Sequence, residues 1–195
     1  MIIEQPKKVG ADLDGVIVDY VPFLLEGWNK IEGTNYTMED LWKTGEPDLR
    51  AGQSAISKIV NEHIKERIFR KPDPIRGALD GIKQLREKGH TIHFLTHRWR
   101  ESKEDAVWWL EKYGVKYESI SFGNEKGEMG ALLGVDWIID DHESSIENAM
   151  VYGIKSIIFP TPWNGDYDPE NNLTQRAKGT PEKGYWKSVV EIING

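Results

Sequence analysis

The feature that most constrains the fold is an alternation of short apolar runs with amphipathic stretches along most of the 195 residues. This alternation is typical of a parallel sheet with helices on its faces. Glycines follow the amphipathic stretches where helices would end. We therefore predict a doubly wound, Rossmann-like α/β fold with about five parallel strands, at 9–13, 92–95, 119–122, 137–139 and 156–159.

The segment between the first and second predicted strands breaks this alternation. It carries two apolar stripes at helical spacing and no strand pattern. Pro22 stands where a first helical turn tolerates proline, and Gly33 closes the first stripe. The stretch 71–74, with two prolines, is a rigid junction back into the alternating region. We predict an α/β core formed by 1–16 and 72–195, with 17–71 inserted as a small helical cap.

Composition excludes several classes of protein. The chain has no cysteine, which excludes disulfide scaffolds, thiol catalysis and thiolate metal sites. With 25 Lys and Arg against 32 Asp and Glu, the net charge is −7, which argues against a nucleic-acid or anionic-membrane partner. No signal-peptide pattern and no apolar stretch of spanning length occurs, so we expect a cytoplasmic protein. The sequence leaves open whether the chain forms a homodimer.

Two aspartates lie at the carboxyl end of the first predicted strand, at Asp12 and Asp14. The Asp-x-Asp pattern alone is weak, since a second copy at Asp166 and Asp168 lies in a loop rich in glycine, proline and asparagine. We interpret the second copy as a solvated turn. The first copy is different because ligands bind beyond the carboxyl ends of the strands in open α/β sheets. Asp12 and Asp14 are therefore candidate functional residues.

Polar side chains also end two other predicted strands. Thr96 ends the second strand, and Asp140 and Asp141 end the fourth. Four carboxylates at one crevice would repel one another unless a divalent cation lay among them. Oxygen ligands favour Mg²⁺, so we expect Mg²⁺ as the cofactor. Lys126, at a predicted helix start, would neutralise the remaining charge.

The order and content of these motifs resemble the haloacid dehalogenase-like phosphatase superfamily. The matching parts are Asp-x-Asp-Gly-Val after strand one, a Thr ending strand two, a downstream Lys and Asp-Asp ending strand four. The resemblance implies the strand order 3-2-1-4-5. Within the superfamily the chain resembles the 5′(3′)-deoxyribonucleotidase group, through 74–79 with Leu85, the Asp-Asp pair, Pro162-Trp-Asn and Tyr185-Trp186.

This resemblance implies that Asp12 is the nucleophile and Asp14 the general acid and base. Attack by a carboxylate on phosphorus forms an aspartyl phosphate and splits one difficult displacement into two easier ones. A second carboxyl can protonate the leaving oxygen and later accept a proton from water. Dehalogenases lack the second aspartate and transport ATPases carry threonine there, so Asp14 favours phosphatase chemistry.

The resemblance also implies how the phosphate and the metal would be held. Thr96 and Lys126 would bind the phosphoryl oxygens. His97 and Arg98 follow the threonine, and they either contact the substrate or belong to a solvated loop. The implied Mg²⁺ ligands are Asp12, the backbone carbonyl of Asp14, and Asp141, with Asp140 close by.

The expected activity is Mg²⁺-dependent hydrolysis of a small phosphomonoester, with a nucleoside monophosphate as the favoured substrate. Aromatic side chains that could stack on a nucleobase are Trp28, Trp42, Trp99 and Trp163. A sugar phosphate, another small metabolite or a terminal phosphate on an oligonucleotide remain alternatives. Outside enzymes, the alternative is a degenerate binding module that accepts phosphate without turnover. Asp14 and Lys126 argue against such a module.

Overall fold

A computed structural model describes residues 5–45, 47–49 and 52–195 of the chain. Six strands in the described ranges form one sheet, and every neighbouring pair is parallel. The strands are β1 (Lys8–Ala11), β2 (Thr91–Thr96), β3 (Ser119–Phe122), β4 (Trp137–Asp140), β5 (Lys155–Ile158) and β6 (Thr174–Arg176).

The strand order is β3-β2-β1-β4-β5-β6. The predicted order of five strands is confirmed, and β6 extends the sheet by one strand beyond that prediction. β1 lies between β2 and β4, so that Gly10 pairs with both His93 and Ile138. The carboxyl ends of β1, β2 and β4 therefore meet at the centre of one edge of the sheet.

Helices cover both faces of this sheet. Successive residues of a strand point to opposite faces: Ile139 of β4 belongs to one apolar cluster and Ile138 to another. The predicted doubly wound α/β fold is confirmed. None of the helices in the described ranges is long and apolar enough to cross a membrane. After the insertion, the helices are α4 (Ala78–Glu87), α5 (Lys103–Lys112), α6 (Lys126–Leu133), α7 (Glu143–Val151) and α8 (Trp186–Asn194).

Three helices of the inserted segment lie between β1 and α4 in the described part of the chain. Proline occupies the first turn of the first helix, and Gly33 ends it in the left-handed conformation at φ 66°, as predicted. The second helix was not predicted, and it begins with a capping box between Thr37 and Asp40. The division of the chain into a core and a cap stays a prediction. These helices are α1 (Val21–Glu32), α2 (Met38–Thr44) and α3 (Gln53–Lys65), and a 3₁₀ turn follows at Ile68–Arg70.

Two buried tryptophans fix the points at which the chain leaves and re-enters the sheet region. The indole nitrogen of Trp186, on α8, donates to the carbonyl of Val16 at 2.9 Å. The indole nitrogen of Trp109, on α5, donates to the carbonyl of Pro72 at 2.7 Å. The segments that lead into and out of the inserted helices are therefore each held by a hydrogen bond from a tryptophan. Both bonds are buried, so water does not weaken them.

Candidate active site

Lys126 is the centre of a buried charge cluster at the carboxyl edge of the sheet. Its side chain is fully buried, and Nζ lies 2.7 Å from Oδ2 of Asp140 and 2.9 Å from Oδ1 of Asp12. Asp12 directly follows β1, and Asp140 is the last residue of β4. The structure therefore brings together three residues that are far apart in the sequence and that the sequence singled out.

The position of Lys126 depends on a close approach between α6 and α7. Lys126 is the first residue of α6, as predicted, and the backbone N–H of Gly127 donates to Oδ1 of Asn148 at 2.6 Å. A Cβ atom on Gly127 would lie 2.3 Å from the carbonyl oxygen of Asn148. Only glycine permits this spacing of the two helices.

Three buried carboxylates surround the single ammonium group. Asp12, Asp140 and Asp141 each offer an oxygen within 4.8 Å of the others. The pKa of Asp12 is raised to about 7. Burial is the main cause, the charge of Lys126 lowers the pKa, and the charge of Asp140 raises it. Burial and the charge of Asp140 also raise the pKa of Asp141. When all three carboxylates are ionised, as metal ligation requires, they exceed the one ammonium by two negative charges in a site that water does not stabilise.

This donor set fits a divalent metal ion. All three side chains offer hard oxygen ligands, which suit Mg²⁺ better than Zn²⁺ or copper. The two uncompensated charges match the charge of one such ion. Asp12, Asp140 and Asp141 are therefore the residues that would hold Mg²⁺.

Gly15 shapes the loop that faces these carboxylates. Its φ angle is +79°, in the left-handed region that favours glycine. A Cβ atom there would lie 2.4 Å from Oδ2 of Asp141. The Asp-x-Asp-Gly sequence therefore needs its glycine both for the turn and for the space that Asp141 occupies.

The carboxylate of Asp14 lies outside the three-carboxylate group and is bound by Arg98. Nε of Arg98 donates to Oδ2 of Asp14 at 2.7 Å, and Nη2 donates to Oδ1 at 2.6 Å. The sequence assigned Asp14 to the metal through its backbone carbonyl, and that assignment stays a prediction. Its side chain is available for another role.

Thr96 and His97 lie at the end of β2, beside the cluster. Thr96 is buried, and its Oγ1 accepts a hydrogen bond from the backbone N–H of Arg98 at 3.1 Å. The pKa of His97 is lowered to about 4, mainly by burial and then by the charge of Lys126, so the ring is neutral at pH 7. A neutral His97 can orient a ligand through hydrogen bonds but adds no positive charge.

A cavity of about 350 Å³ opens from the carboxylates towards the inserted helices. Trp99 and Trp163, both predicted base-stacking residues, lie in its wall. Trp28 and Trp42 do not line it: Trp28 packs in the apolar cluster of α1, α2 and the following loop, and Trp42 lies on the outer surface with 40% exposure. Packing within the helix cluster accounts for the position of Trp28, whereas Trp42 lies at the surface, and neither side chain lines the cavity.

Comparison with known proteins agrees with the fold and the motifs. Residues 6–177 match the family model described as 5′ nucleotidase, deoxy (pyrimidine), cytosolic type C protein (NT5C). The chain belongs to this family. A curated protein of Chlorobaculum tepidum, named "Putative 5′(3′)-deoxyribonucleotidase", is 25% identical over 95% of this chain and 89% of its own length. The chain is therefore a phosphatase of the nucleotidase type, as the motifs predict.

Solved structures share the fold of this nucleotidase family member. A haloacid dehalogenase-like hydrolase from Streptococcus pneumoniae aligns over 96% of this chain and 98% of its own, with a TM-score of 0.65 and 14% identity. A HAD-hydrolase from Bacillus subtilis, described as bound to magnesium, aligns over 98% and 100%, with a TM-score of 0.60 and 13% identity. The predicted resemblance to the 5′(3′)-deoxyribonucleotidase group is confirmed by the family match, and these solved structures show that the chain shares the fold of haloacid dehalogenase-like hydrolases.

Two site residues of this nucleotidase were not selected from the sequence. The sequence predicts that Arg98 either contacts the substrate or belongs to a solvated loop, whereas in the structure it is buried. Asn164 is buried and its amide donates to the carbonyl oxygens of Asp141, at 2.8 Å, and Phe159, at 2.9 Å. The signal for Asn164 was present, because it belongs to the Pro162-Trp-Asn motif.

Proposed function

We propose that the chain hydrolyses nucleoside monophosphates in a Mg²⁺-dependent reaction that passes through an aspartyl phosphate on Asp12. The observation that carries this proposal is the composition of the cavity, which joins a carboxylate cluster at one end to an apolar and aromatic wall at the other. The charged end suits a metal-bound phosphate. The apolar wall suits a flat, weakly polar group such as a nucleobase.

The wall facing away from the carboxylates comes from the inserted helices and from two loops. Its apolar members are largely aliphatic, and Tyr20, Trp99 and Trp163 add aromatic faces. A sugar phosphate, which carries hydroxyl groups on every side, would leave these faces without a matching contact. The aliphatic members are Val21, Leu24, Leu49, Ile56 and Val60.

We also propose that 17–71 act as a cap that closes over the bound substrate. α1 and α3 contribute the apolar side of the cavity, while the loops after β1, β2 and β4 contribute the charged side. A substrate that contacts both sides would hold them together and exclude water from the reacting phosphate. We retain the prediction of a cytoplasmic protein, which the cytosolic type named in the family description supports.

In the first displacement, an oxygen of Asp12 forms a bond to phosphorus while the bond from phosphorus to the ester oxygen breaks. Asp14, which must enter this step in its protonated form, gives its proton to that oxygen, and the nucleoside leaves as a neutral alcohol. In the second displacement, a water oxygen bonds to phosphorus, the bond to Asp12 breaks, and Asp14 receives the proton from water. The protein and Asp14 are thereby restored, and inorganic phosphate is released.

Lys126 and Thr96 support both displacements. The Lys126 ammonium lies beside the Asp12 carboxylate, where it can stabilise negative charge that develops on the transferring group. Thr96, buried at the end of β2, offers a hydroxyl proton to a phosphoryl oxygen. When bound by the three carboxylates, Mg²⁺ supplies Lewis-acid neutralisation of the phosphate charge. The magnesium bound by the HAD-hydrolase of B. subtilis supports this choice of ion.

The affinity for Mg²⁺ should rise with pH, because the carboxylates that bind the ion must first lose their protons. Because the pKa of Asp12 is raised to about 7 and that of Asp141 is raised as well, the metal-free site holds protons near neutral pH. Ligation needs the ionised groups, so Mg²⁺ binding should release protons and tighten as pH rises from 6 to 8, by up to about tenfold per pH unit for each proton released. Titration calorimetry in two buffers of different ionisation enthalpy measures both quantities. Equal affinity at pH 6 and 8 without proton release would contradict this expectation.

The substrate class is tested with a panel of phosphomonoesters, scored by released phosphate. The panel contains nucleoside 5′- and 3′-monophosphates, ribose 5-phosphate and p-nitrophenyl phosphate, each with Mg²⁺ and with a chelator. We expect nucleoside monophosphates to have the highest kcat/KM and the chelator to remove activity. A faster reaction with ribose 5-phosphate would reject the nucleotide assignment, and no hydrolysis of any ester would reject the proposed function.

A further inference from the structure

Arg98 forms a two-pronged ion pair with Asp14 at the edge of the cavity. Both oxygens of Asp14 accept hydrogen bonds from one guanidinium, through Nε at 2.7 Å and Nη2 at 2.6 Å. Such paired bonds fix the plane of a carboxylate as well as its position. Only about a quarter of the Asp14 side chain is exposed, against 2% for Arg98.

The guanidinium is itself held in place. Its central carbon lies 4.6 Å from the centre of the Phe69 ring, on which its flat face rests. Phe69 stacks on Tyr20 at 4.8 Å between ring centres. The Arg98 guanidinium therefore packs on Phe69, and Phe69 packs on Tyr20. The two aromatic residues come from opposite ends of the inserted segment.

A structural role alone does not account for this arginine. Its Nη1 is buried, and among the described residues it has no hydrogen-bond partner. Buried arginines that serve only to hold a fold use their donors, because each unpaired donor lowers stability. Of the side chains in the described ranges, Asp14 is the one that hydrogen-bonds to the guanidinium. Because both of these hydrogen bonds go to Asp14, we expect Arg98 to act on that carboxylate.

We infer that Arg98 is the positioning residue for Asp14, holding its carboxylate in the orientation from which a proton passes to the leaving oxygen. This inference rests on the proposed function, in which Asp14 is the general acid and base. A carboxyl that is free to rotate about its side-chain bonds would spend most of its time misplaced, and misplacement by about 1 Å can lower a rate about 10²-fold. The two-pronged contact removes that freedom.

The test compares a leaving group that needs a proton with one that does not. A loss of proton transfer lowers the rate for the first ester only, whereas any other defect lowers the rate for both. An alkyl alcohol leaves with difficulty unless it is protonated, whereas p-nitrophenolate leaves without a proton. kcat/KM reports the first displacement, which ends with loss of the alcohol. We therefore expect Arg98→Ala to lower kcat/KM about 10²-fold for the best alkyl ester of the panel and by less than about fivefold for p-nitrophenyl phosphate. Added guanidinium ion should restore part of the loss on the alkyl ester.

Arg98→Lys gives a second variant that keeps a positive charge in the buried site. Lysine is a point charge and cannot make the two-pronged contact, so we expect a selective loss on the alkyl ester of about tenfold. Arg86→Ala is the matched control: Arg86 also pairs with both oxygens of a carboxylate, on Glu118, away from the cavity. Its kcat/KM values should equal those of the wild type.

A double-mutant cycle with Asp14→Asn identifies the partner through which Arg98 acts. If Arg98 acts through Asp14, its replacement in the Asp14→Asn protein should produce no further selective loss on the alkyl ester. Equal losses on both esters for Arg98→Ala, wild-type values for Arg98→Lys, or a full selective loss in the Asp14→Asn background would each overturn the inference while leaving the proposed function intact. A wild-type protein that hydrolyses neither ester would overturn the proposed function, and this inference with it.

Discussion

Replacement of Asp12 by asparagine is expected to abolish phosphomonoester hydrolysis and to leave the protein folded. The amide has nearly the same shape as the carboxylate but is neutral, so it cannot attack phosphorus or serve as an anionic metal ligand. Removal of a nucleophile that works together with other catalytic residues lowers kcat about 10⁴-fold or more. Because Asp12 is one of three buried acids around Lys126, its neutralisation relieves repulsion in the metal-free protein. The measurement is phosphate release with Mg²⁺, with circular dichroism to check the fold.

The chain carries its own matched control for this variant. Asp166 begins the second Asp-x-Asp sequence, is exposed, and lies outside the carboxylate cluster. Asp166→Asn should therefore keep wild-type activity. Mg²⁺-dependent turnover that survives in Asp12→Asn within about tenfold of the wild type would reject Asp12 as the nucleophile.

Replacement of Lys126 by methionine is expected to reduce both stability and activity. The ammonium is fully buried between Asp12 and Asp140, so its removal leaves carboxylates without a counter-charge. Breaking a buried pair in this way lowers the free energy of unfolding by about 3–5 kcal/mol. The loss should be smaller at pH 5 than at pH 8, because the raised pKa of Asp12 lets it take up a proton instead. Denaturant unfolding at the two pH values measures this difference.

Activity of the Lys126→Met protein should fall about 10²- to 10³-fold in kcat, because the charge next to the reacting carboxylate is lost. Lys116→Met is the control, since Lys116 is exposed and lies outside the cavity. A Lys126→Met protein with wild-type stability at both pH values and wild-type kcat would show that the buried ion pairs have no energetic role.

Much of the core and of the charged site was predictable from sequence because the signals are local. The apolar runs form strands, of which β3 is half-buried and the others are largely buried, and glycine in the left-handed conformation at Gly114 and Gly153 follows helices α5 and α7. The polar residues that end β1, β2 and β4 meet because parallel strands present their carboxyl ends at one edge. Lys126 was predicted to lie at a helix start beside the carboxylates, and its side chain is buried between two of them.

Other features depend on tertiary contacts that sequence patterns do not specify. β6 has three residues, Thr174–Arg176, none of them apolar, so it carries no strand pattern. This segment is a strand because its backbone pairs with that of β5. α8, by contrast, carries a helical pattern in Val189, Val190 and Ile193, all of which are buried. Whether Trp28 points into the cavity or into the helix cluster depends on how α1 packs, which the spacing of residues alone does not determine.

The orientation of Asp14 illustrates the same distinction at the site. Its place two residues after Asp12 was evident from the sequence, whereas its pairing with Arg98 depends on how the loops after β1 and β2 approach each other. Arg98 follows Thr96 by two residues, so its proximity to the site was predictable. Its burial against Phe69 was not, because Phe69 comes from the inserted segment.

The central claim, that Asp12 carries the phosphoryl group, can be tested by trapping the covalent intermediate. The protein is mixed with Mg²⁺ and the best substrate of the panel, quenched in acid, and treated with borohydride, which reduces an aspartyl phosphate to homoserine. Peptide mapping by mass spectrometry then locates the modified residue. We predict homoserine at position 12 in the wild type and none in Asp12→Asn. Phosphate release by the wild type with an unmodified Asp12, or with the modification at another carboxylate, would contradict the account.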